Sequence, residues 1–428
     1  MKKYVKSFTV FIIIFAITIG AFFGATPINA YAANELSASS FWDGITAEPE
    51  DDIGDASIGD ADFATIGDAE AENLGDDDWP FSDLWSNAIG ATEARTLYQA
   101  GIIKGFGYDS KNKAIFKPLK PVTRAQFAVM LYKFAVLCGA VSASDTTEIS
   151  KYQVTYQDIP KSGEIYEAIR FFDYYHIITG FSSTKYKPNN NITRAQISII
   201  LIKFARTIGA DTTARESLTQ KKYLDLPSLQ FDVLDSMSWC IKGNIISGVK
   251  KGNVGYLKGN DTATRLQCCM FIYRLPYCLF NGETNINIQK YTKWTSNKST
   301  ANTYHIIAYS PNTFEPTKTT PFFQLKNFKL NMIMNFSFSN QKTFGAAKAD
   351  IMANESSHKE KLSWTHNGTN DYVSYGYVES EKQYYLQRAR LVNGKIVTAS
   401  AVFPAGNNYD YCYDQAIAFI TGVTCEYK

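Results

Sequence analysis

Three arginines stand in one local setting. Arg124, Arg194 and Arg265 occur in Thr123-Arg124-Ala125-Gln126, Thr193-Arg194-Ala195-Gln196 and Thr264-Arg265-Leu266-Gln267, spaced by 70 and 71 residues. Each quartet opens an apolar stretch. Behind the first come Phe127, Val129, Met130, Leu131, Phe134 and Ala135. A threonine in that place is a helix N-cap, and a glutamine three residues on completes a capping box. The arginine then falls in the first turn, where the macrodipole disfavours a cation. A rule broken three times in register asks for a reason. Free N–H groups beside a guanidinium make a carboxylate or phosphate site. The alternative is an internal salt bridge to an aspartate that opens the same or a neighbouring repeat, Asp83, Asp158 or Asp225. The two can coexist, with the aspartate orienting the arginine.

The elements that must hold these arginines also recur. The first segment opens at Phe81-Ser82-Asp83, passes Gly101-Ile102-Ile103-Lys104-Gly105 and Phe116-Lys117-Pro118, and reaches the first quartet. The second opens at Tyr156-Gln157-Asp158, with His176-Ile177-Ile178-Thr179-Gly180 and Tyr186-Lys187-Pro188. The third opens at Tyr223-Leu224-Asp225, with Asn244-Ile245-Ile246-Ser247-Gly248 and Tyr256-Leu257-Lys258. After the aspartate the pattern predicts a helix, then a glycine-bracketed turn. An extended step into proline follows, and then the capped second helix. Such a helix–loop–helix cannot bury its apolar face alone, so three copies are expected to pack together.

These landmarks resemble S-layer homology repeats, whose pattern runs from an aromatic-x-Asp start through a Gly-Ile-Ile-x-Gly turn to a Thr-Arg-Ala-Glu helix start. The resemblance covers about residues 80–279. It implies an all-α, pseudo-threefold helical trio that binds anionic secondary cell-wall polysaccharide, often bearing pyruvate ketals. It also implies that Arg124, Arg194 and Arg265 contact the polymer, with Asp83, Asp158 and Asp225 opening the repeats and Gly105, Gly180 and Gly248 in the turns. The sequence departs from the family in three ways. The motif glutamate is Gln126, Gln196 and Gln267. The family's first-helix tryptophan is replaced by Ile89, Glu164 and Asp232. The third repeat lacks the proline and has Leu266 for alanine, so its groove is expected to be the weakest or to serve packing only.

The 428 residues carry a formal net charge of +2 that conceals segregation. Residues 33–94 hold seventeen acids and no base, whereas Arg95 onward holds forty bases against twenty-four acids, or +16. The global balance is not of the nucleic-acid kind, and an asymmetry of this sort points to an interacting tail or a polyanionic partner. Lys2, Lys3 and Lys6, an apolar run from Phe8 to Ala25 and Ala30-Tyr31-Ala32 read as a cleaved signal peptide over 1–32. The alternative is an uncleaved anchor. Residues 33–79 read as an acidic disordered linker. Its Ile-Gly-Asp-Ala repeats raise the question of calcium, but lack the ligand offsets of a calcium loop. The seven cysteines show no CxxC pair. Most read as small core residues, and Cys412 with Cys425 is left open as a pair.

Residues 285–428 change character. Strands are expected over Phe328–Phe338, Tyr372–Val378, Tyr384–Val392 and Lys395–Phe403, the last two joined by an Asn393-Gly394 hairpin turn. Helices are expected over Phe344–Asn354 and Tyr413–Val423. This predicts an α+β domain with an antiparallel sheet. His358 and His366 near Ser356, Ser357 and Asp371 suggest a Ser-His-Asp set, but no nucleophile elbow accompanies them. The tyrosines and tryptophans there are either ordinary strand residues or a carbohydrate-binding face.

The sequence is therefore read as a multidomain, secreted, wall-associated chain. It comprises a signal peptide (1–32), an acidic linker (33–79), repeats over 80–140, 155–211 and 222–280, and a displayed α+β domain (285–428). Its expected partner is an anionic polysaccharide, with no nucleic acid, no cofactor, no metal and no membrane after signal cleavage. The rival readings are a wall-anchored glycan-active enzyme with its site after residue 285, and a self-assembling surface-layer subunit.

Overall fold

The computed structural model describes residues 79–141, 143–251, 254–279, 291–296, 304–319, 322–357, 361–406 and 408–427. The segment expected to be a signal peptide, the acidic segment up to residue 78 and His358 lie outside the described residues. The chain divides into two compact units. Of the described residues, one unit contains those up to residue 201 with 208–211 and those from 240 to 279, and the other contains 202–207, 212–239 and those from 291 on. These units do not follow the repeat boundaries. The end of the second motif helix and most of the first helix of repeat 3 belong to the second unit.

The described helices of the repeat region are α1 (Ala91–Gln99), α2 (Arg124–Leu137), α3 (Ala143–Ser150), α4 (Glu164–Tyr174), α5 (Arg194–Thr207), α6 (Phe231–Lys242) and α7 (Arg265–Leu279). A ribbon of β1 (Val249–Lys251) and β2 (Val254–Tyr256) lies between α6 and α7. The expected all-α trio is thus corrected: repeat 3 carries a two-stranded antiparallel ribbon where the other repeats have a loop. The first helix of each repeat ends in a left-handed residue, Gly101 (φ 70°), His176 (φ 58°) or Asn244 (φ 56°). The following isoleucine pairs, Ile102-Ile103, Ile177-Ile178 and Ile245-Ile246, are buried. The turn therefore stops the helix and drives two apolar side chains into the core.

The three repeats close on one another through the main chain. The Val122 N–H donates to the Ala263 carbonyl (3.1 Å), the Ile192 N–H to the Val122 carbonyl (2.8 Å) and the Ala263 N–H to the Ile192 carbonyl (3.0 Å). All three side chains are buried. Each segment just before a motif helix thus donates to one neighbour and accepts from the other, a cyclic closure.

In the second unit β3 (Tyr291–Thr295), β4 (Tyr304–Pro311), β5 (Glu315–Lys318), β6 (Phe323–Asn327) and β7 (Met332–Phe338) lead into α8 (Phe344–Ser357). Then follow β8 (Lys361–Asn367), β9 (Asp371–Val378), β10 (Gln383–Val392), β11 (Lys395–Pro404), α9 (Tyr409–Gly422) and β12 (Thr424–Tyr427). A seven-stranded antiparallel sheet has the order β5-β6-β7-β11-β10-β9-β8, and a three-stranded sheet the order β12-β4-β3. The β10–β11 hairpin turns at Asn393 (φ 51°) and Gly394 (φ 74°), the two left-handed residues a tight right-twisted hairpin needs. Alternation along the strands sends Leu386, Val373 and Phe403 to a core shared with Ile417, Phe419 and Ile420 of α9. Tyr372, Ala389 and Ile396 pack instead with Ala347 and Ile351 of α8. The domain is α+β with an antiparallel sheet.

Two ion networks are buried in this unit. Asp414 of α9 lies 3.0 Å from Arg206 and 3.3 Å from Arg215, and accepts from the Thr212 hydroxyl at 2.7 Å. Arg215 also pairs with Asp235 at 2.8 Å. In the second network Arg388 grips both oxygens of Asp371 at 2.8 Å and approaches Asp232 at 2.6 Å. Burial pushes the Asp414 carboxyl up, but Arg206 and Arg215 outweigh it and hold it below the usual range. A depressed carboxyl stabilises the fold above its unfolded pKa of about 3.9, and that stability is lost as pH falls through the lower folded value. Asp414→Ala, which leaves two buried guanidinium groups to share Asp235 alone, is expected to cost about 3–5 kcal/mol. Urea denaturation followed by near-ultraviolet circular dichroism checks this, and an unchanged midpoint at pH 7 would exclude it.

Candidate functional site

Each motif helix opens on a reciprocal pair. The Gln126 N–H donates to the Thr123 hydroxyl (3.3 Å) and the Thr123 N–H to Gln126 Oε1 (3.0 Å). Thr193 with Gln196 and Thr264 with Gln267 repeat the arrangement. The cap uses the amide oxygen, so glutamine serves as well as glutamate would.

With the cap fixed, the arginine projects into the next repeat. Arg124 of repeat 1 donates from Nη2 to the Thr179 carbonyl (2.9 Å) and from Nε to the Tyr186 carbonyl (3.1 Å) of repeat 2. Arg194 of repeat 2 donates likewise to Ser247 (2.7 Å) and Leu257 (3.2 Å) of repeat 3. Arg265 of repeat 3 returns to repeat 1, donating from Nη2 to the Lys104 carbonyl. Its Nε is buried with no partner, and burial pushes its guanidinium pKa down. The three residues are only 5%, 5% and 8% exposed. The guanidinium is tolerated at a helix N-terminus because carbonyl dipoles of the neighbouring repeat face it.

The aspartates do different work. Asp83 accepts the N–H groups of Phe116 and Lys117 at 2.6 and 2.8 Å, and Asp158 those of Tyr186 and Lys187 at 2.8 Å each. Lys117, Lys187 and Lys258 all lie in the left-handed region (φ 59°, 59° and 49°). Asp83 and Asp158 are therefore main-chain clamps on a strained turn in their own repeats. This also resets the third repeat. Lys258 is the counterpart of Lys117 and Lys187, so Leu257, not Tyr256, stands in the aromatic position and Gly259 in that of the proline. The pairing of the Leu266, Ala125 and Ala195 N–H groups with the carbonyls of Pro118, Pro188 and Gly259 gives the same register.

The turn glycines are sterically unequal. A Cβ on Gly180 would lie 2.4 Å from the Tyr156 ring and 2.6 Å from the Ser182 carbonyl oxygen. On Gly105 the nearest atom is Ala114 Cβ at 3.0 Å. Gly248 lines a small cleft with Arg194, Ser247, Gln267, Phe271 and Arg274. Arg274 is a cation that motif reading missed, nine residues beyond the motif arginine. Lys133 occupies the same helix position, and the two pair across repeats with Glu93 (3.2 Å) and Glu164 (3.4 Å). Also missed were Phe106 and Phe181, which follow the turn glycines. Arg265 lies 4.9 Å from the Phe106 ring centre and Arg124 5.1 Å from that of Phe181. The only sequence signal for them is an aromatic residue at the same offset in two repeats.

In the second unit Asp371 of the suggested Ser-His-Asp set is held by Arg388, and His358 lies outside the described residues. His366 Nε2 is buried without a partner, and burial lowers its pKa. Among the described residues no group of His, Cys, Asp and Glu is arranged to hold a metal ion. No described helix is long and apolar enough to cross a membrane. None of the seven cysteines is joined in a disulfide, Cys412 and Cys425 included.

Two pairs of substitutions separate these roles. Arg124→Lys keeps the charge but cannot bridge two carbonyls, and is expected to destabilise by about 1–3 kcal/mol. Arg265→Lys, which gives up one such bond, should cost less. Gly180→Ala should lower the melting temperature clearly more than Gly105→Ala. Scanning calorimetry of the four variants checks both orders, and equal shifts would refute the assigned geometry.

The S-layer homology domain family matches residues 80–128 and 155–197. The chain is 26% identical to an endoglucanase of Bacillus sp. (strain KSM-635) over 197 residues, 46% of this chain and 19% of that protein. It is 29% identical to a cellulosome-anchoring protein of Acetivibrio thermocellus over 111 residues, 26% of this chain and 24% of that protein. The chain thus spans at most about a quarter of the length of these relatives. The motif arginines and capped helices of repeats 1 and 2 fall within the two segments that match S-layer homology domains, residues 80–128 and 155–197.

Proposed function

We propose that the repeats attach the chain non-covalently to anionic secondary cell-wall polysaccharide at the cell surface, and that the α+β domain is displayed there. The observation that carries this reading is the family match over residues 80–128 and 155–197, whose motif arginines Arg124 and Arg194 stand at repeat junctions. The excess of bases beyond Arg95 suits an anionic polymer. A relative named for anchoring the cellulosome supports an anchoring role. Several junctions on one polymer add through effective concentration, so each contact can be weak. Carboxylates on the sugars, such as those of pyruvate ketals, are the groups expected to meet the cations.

A wall-held, glycan-active enzyme is the second reading, and the endoglucanase relative favours it. It is the weaker one, because Asp232, Asp235, Asp371 and Asp414 of the second unit are committed to arginines.

The test is co-sedimentation of the whole secreted chain with protein-free walls of the organism that makes it. The protein is expected in the pellet, released by soluble wall polysaccharide and progressively by salt. Protein that stays in the supernatant at low salt would overturn the anchoring reading.

A further inference from the structure

One face of the seven-stranded sheet carries α8 over Tyr372, Ala389 and Ile396. Further along that face lies a row that is polar on six adjacent strands. Register aligns Thr365 (β8), Ser374 (β9), Gln387 (β10), Ser400 (β11), Asn335 (β7) and Gln324 (β6) side by side. None of the six is charged. A surface that only meets water mixes charges of both signs, so an unbroken neutral row asks for a reason. Its outer rungs are already joined. Thr317 Oγ1 donates to Gln324 Oε1 (2.9 Å), Gln324 Nε2 to Asn335 Oδ1 (3.0 Å) and Asn335 Nδ2 to Ser400 Oγ (3.1 Å).

The ladder runs toward a group of buried polar side chains at α8. Gln387 is 8% exposed, with Asn354 Nδ2 of α8 3.5 Å from its Oε1. Ser374 is 1% exposed, and its Oγ has no hydrogen-bond partner. Glu355, in the last turn of α8, is 5% exposed. The Tyr372 hydroxyl lies 3.4 Å from each of its oxygens. An anion there is disfavoured by burial and again by the helix C-terminus. A buried hydroxyl and a buried carboxylate thus stand at one end of the row with hydrogen-bonding capacity unused. A ligand hydroxyl, which both donates and accepts, suits both. Beside the row, Tyr385, Val402 and Ile333 align as a half-buried, less polar strip on the same face.

We infer that this row is a binding groove for an extended neutral glycan, anchored by Ser374, Gln387 and Glu355, with Ser400, Asn335 and Gln324 as further rungs. The glycan lies across the strands. Its hydroxyls meet the amides and hydroxyls of the row, and its C–H faces lie along the strip. Neighbouring strands are about 4.8 Å apart, close to the length of one pyranose in an extended β-1,4-linked chain, so each rung meets one sugar. An extended peptide repeats every ~3.3 Å and falls out of step with the rungs. The row offers no cation to an acidic polymer, and Glu355 repels one. This assignment gives the α+β domain a ligand of its own and does not rest on the anchoring reading.

The experiment titrates the full chain by calorimetry with the neutral β-1,4-linked hexasaccharides and disaccharides of glucose, mannose and xylose. At least one hexasaccharide is expected to bind, and to bind more tightly than its disaccharide. Ser374→Ala and Glu355→Gln should each weaken that hexasaccharide about tenfold. Neither should lower the melting temperature, since each relieves a buried polar group short of partners. Gln324→Ala with Asn335→Ala should remove most of the advantage of the hexasaccharide and leave the disaccharide unchanged. If no hexasaccharide binds, the groove is wrong. It is equally wrong if one binds and both Ser374→Ala and Glu355→Gln match wild type. Sedimentation with walls judges the anchoring reading separately, since these variants leave the repeats untouched.

Discussion

No repeat in this protein completes its own hydrogen bonding. The main-chain ring through Val122, Ile192 and Ala263 makes each repeat donor to one neighbour and acceptor from the other. These groups are buried, where an unpaired amide is costly. Closing the ring is thus what satisfies them. The arginine contacts run over the same junctions, from repeat 1 to 2, 2 to 3 and 3 to 1. The order of the helices along the chain matters less than this cyclic order in space.

That constraint accounts for the placement of cations against the macrodipole. An isolated helix with arginine in its first turn would lose a few tenths of a kcal/mol or more. Here carbonyl oxygens of the next repeat stand opposite the guanidinium, and the charge helps hold the junction. The third junction is the least complete, since Arg265 Nε has no partner while Arg124 and Arg194 use theirs. The departures of repeat 3, Leu257 for the aromatic and Gly259 for the proline, fall in the neighbouring stretch. They alter what lines its junction and leave its ring contact intact.

Much of this was legible in the sequence because it is local. The threonine–glutamine caps follow from spacing within one turn, and the Asn393-Gly394 hairpin from two residues. The strands β9, β10 and β11 follow from alternation. The aspartates were harder, because their partners Phe116 and Tyr186 lie about thirty residues on and are main-chain groups with no side-chain signature. The third repeat was read one residue out of step, since Tyr256 looks like the missing aromatic but belongs to a ribbon, and the buried Leu257 takes the place. Strands such as β4 and β12, which pair across the length of the second unit, carry no short-range mark at all. The longest links of the ion networks, Arg206 to Asp414 and Asp232 to Arg388, join residues about 150–210 apart, a separation at which sequence spacing holds no information.

The cyclic closure has a consequence for how such a chain can evolve. A solenoid with free ends can lengthen or shorten by whole units, each addition burying one more interface. A closed ring has no free end to extend. Loss of one unit would expose two junctions at once, and a fourth would have to force the Val122–Ile192–Ala263 circuit open. Copy number is therefore held by geometry, and change is channelled into the residues around each junction, where this chain's three repeats already differ.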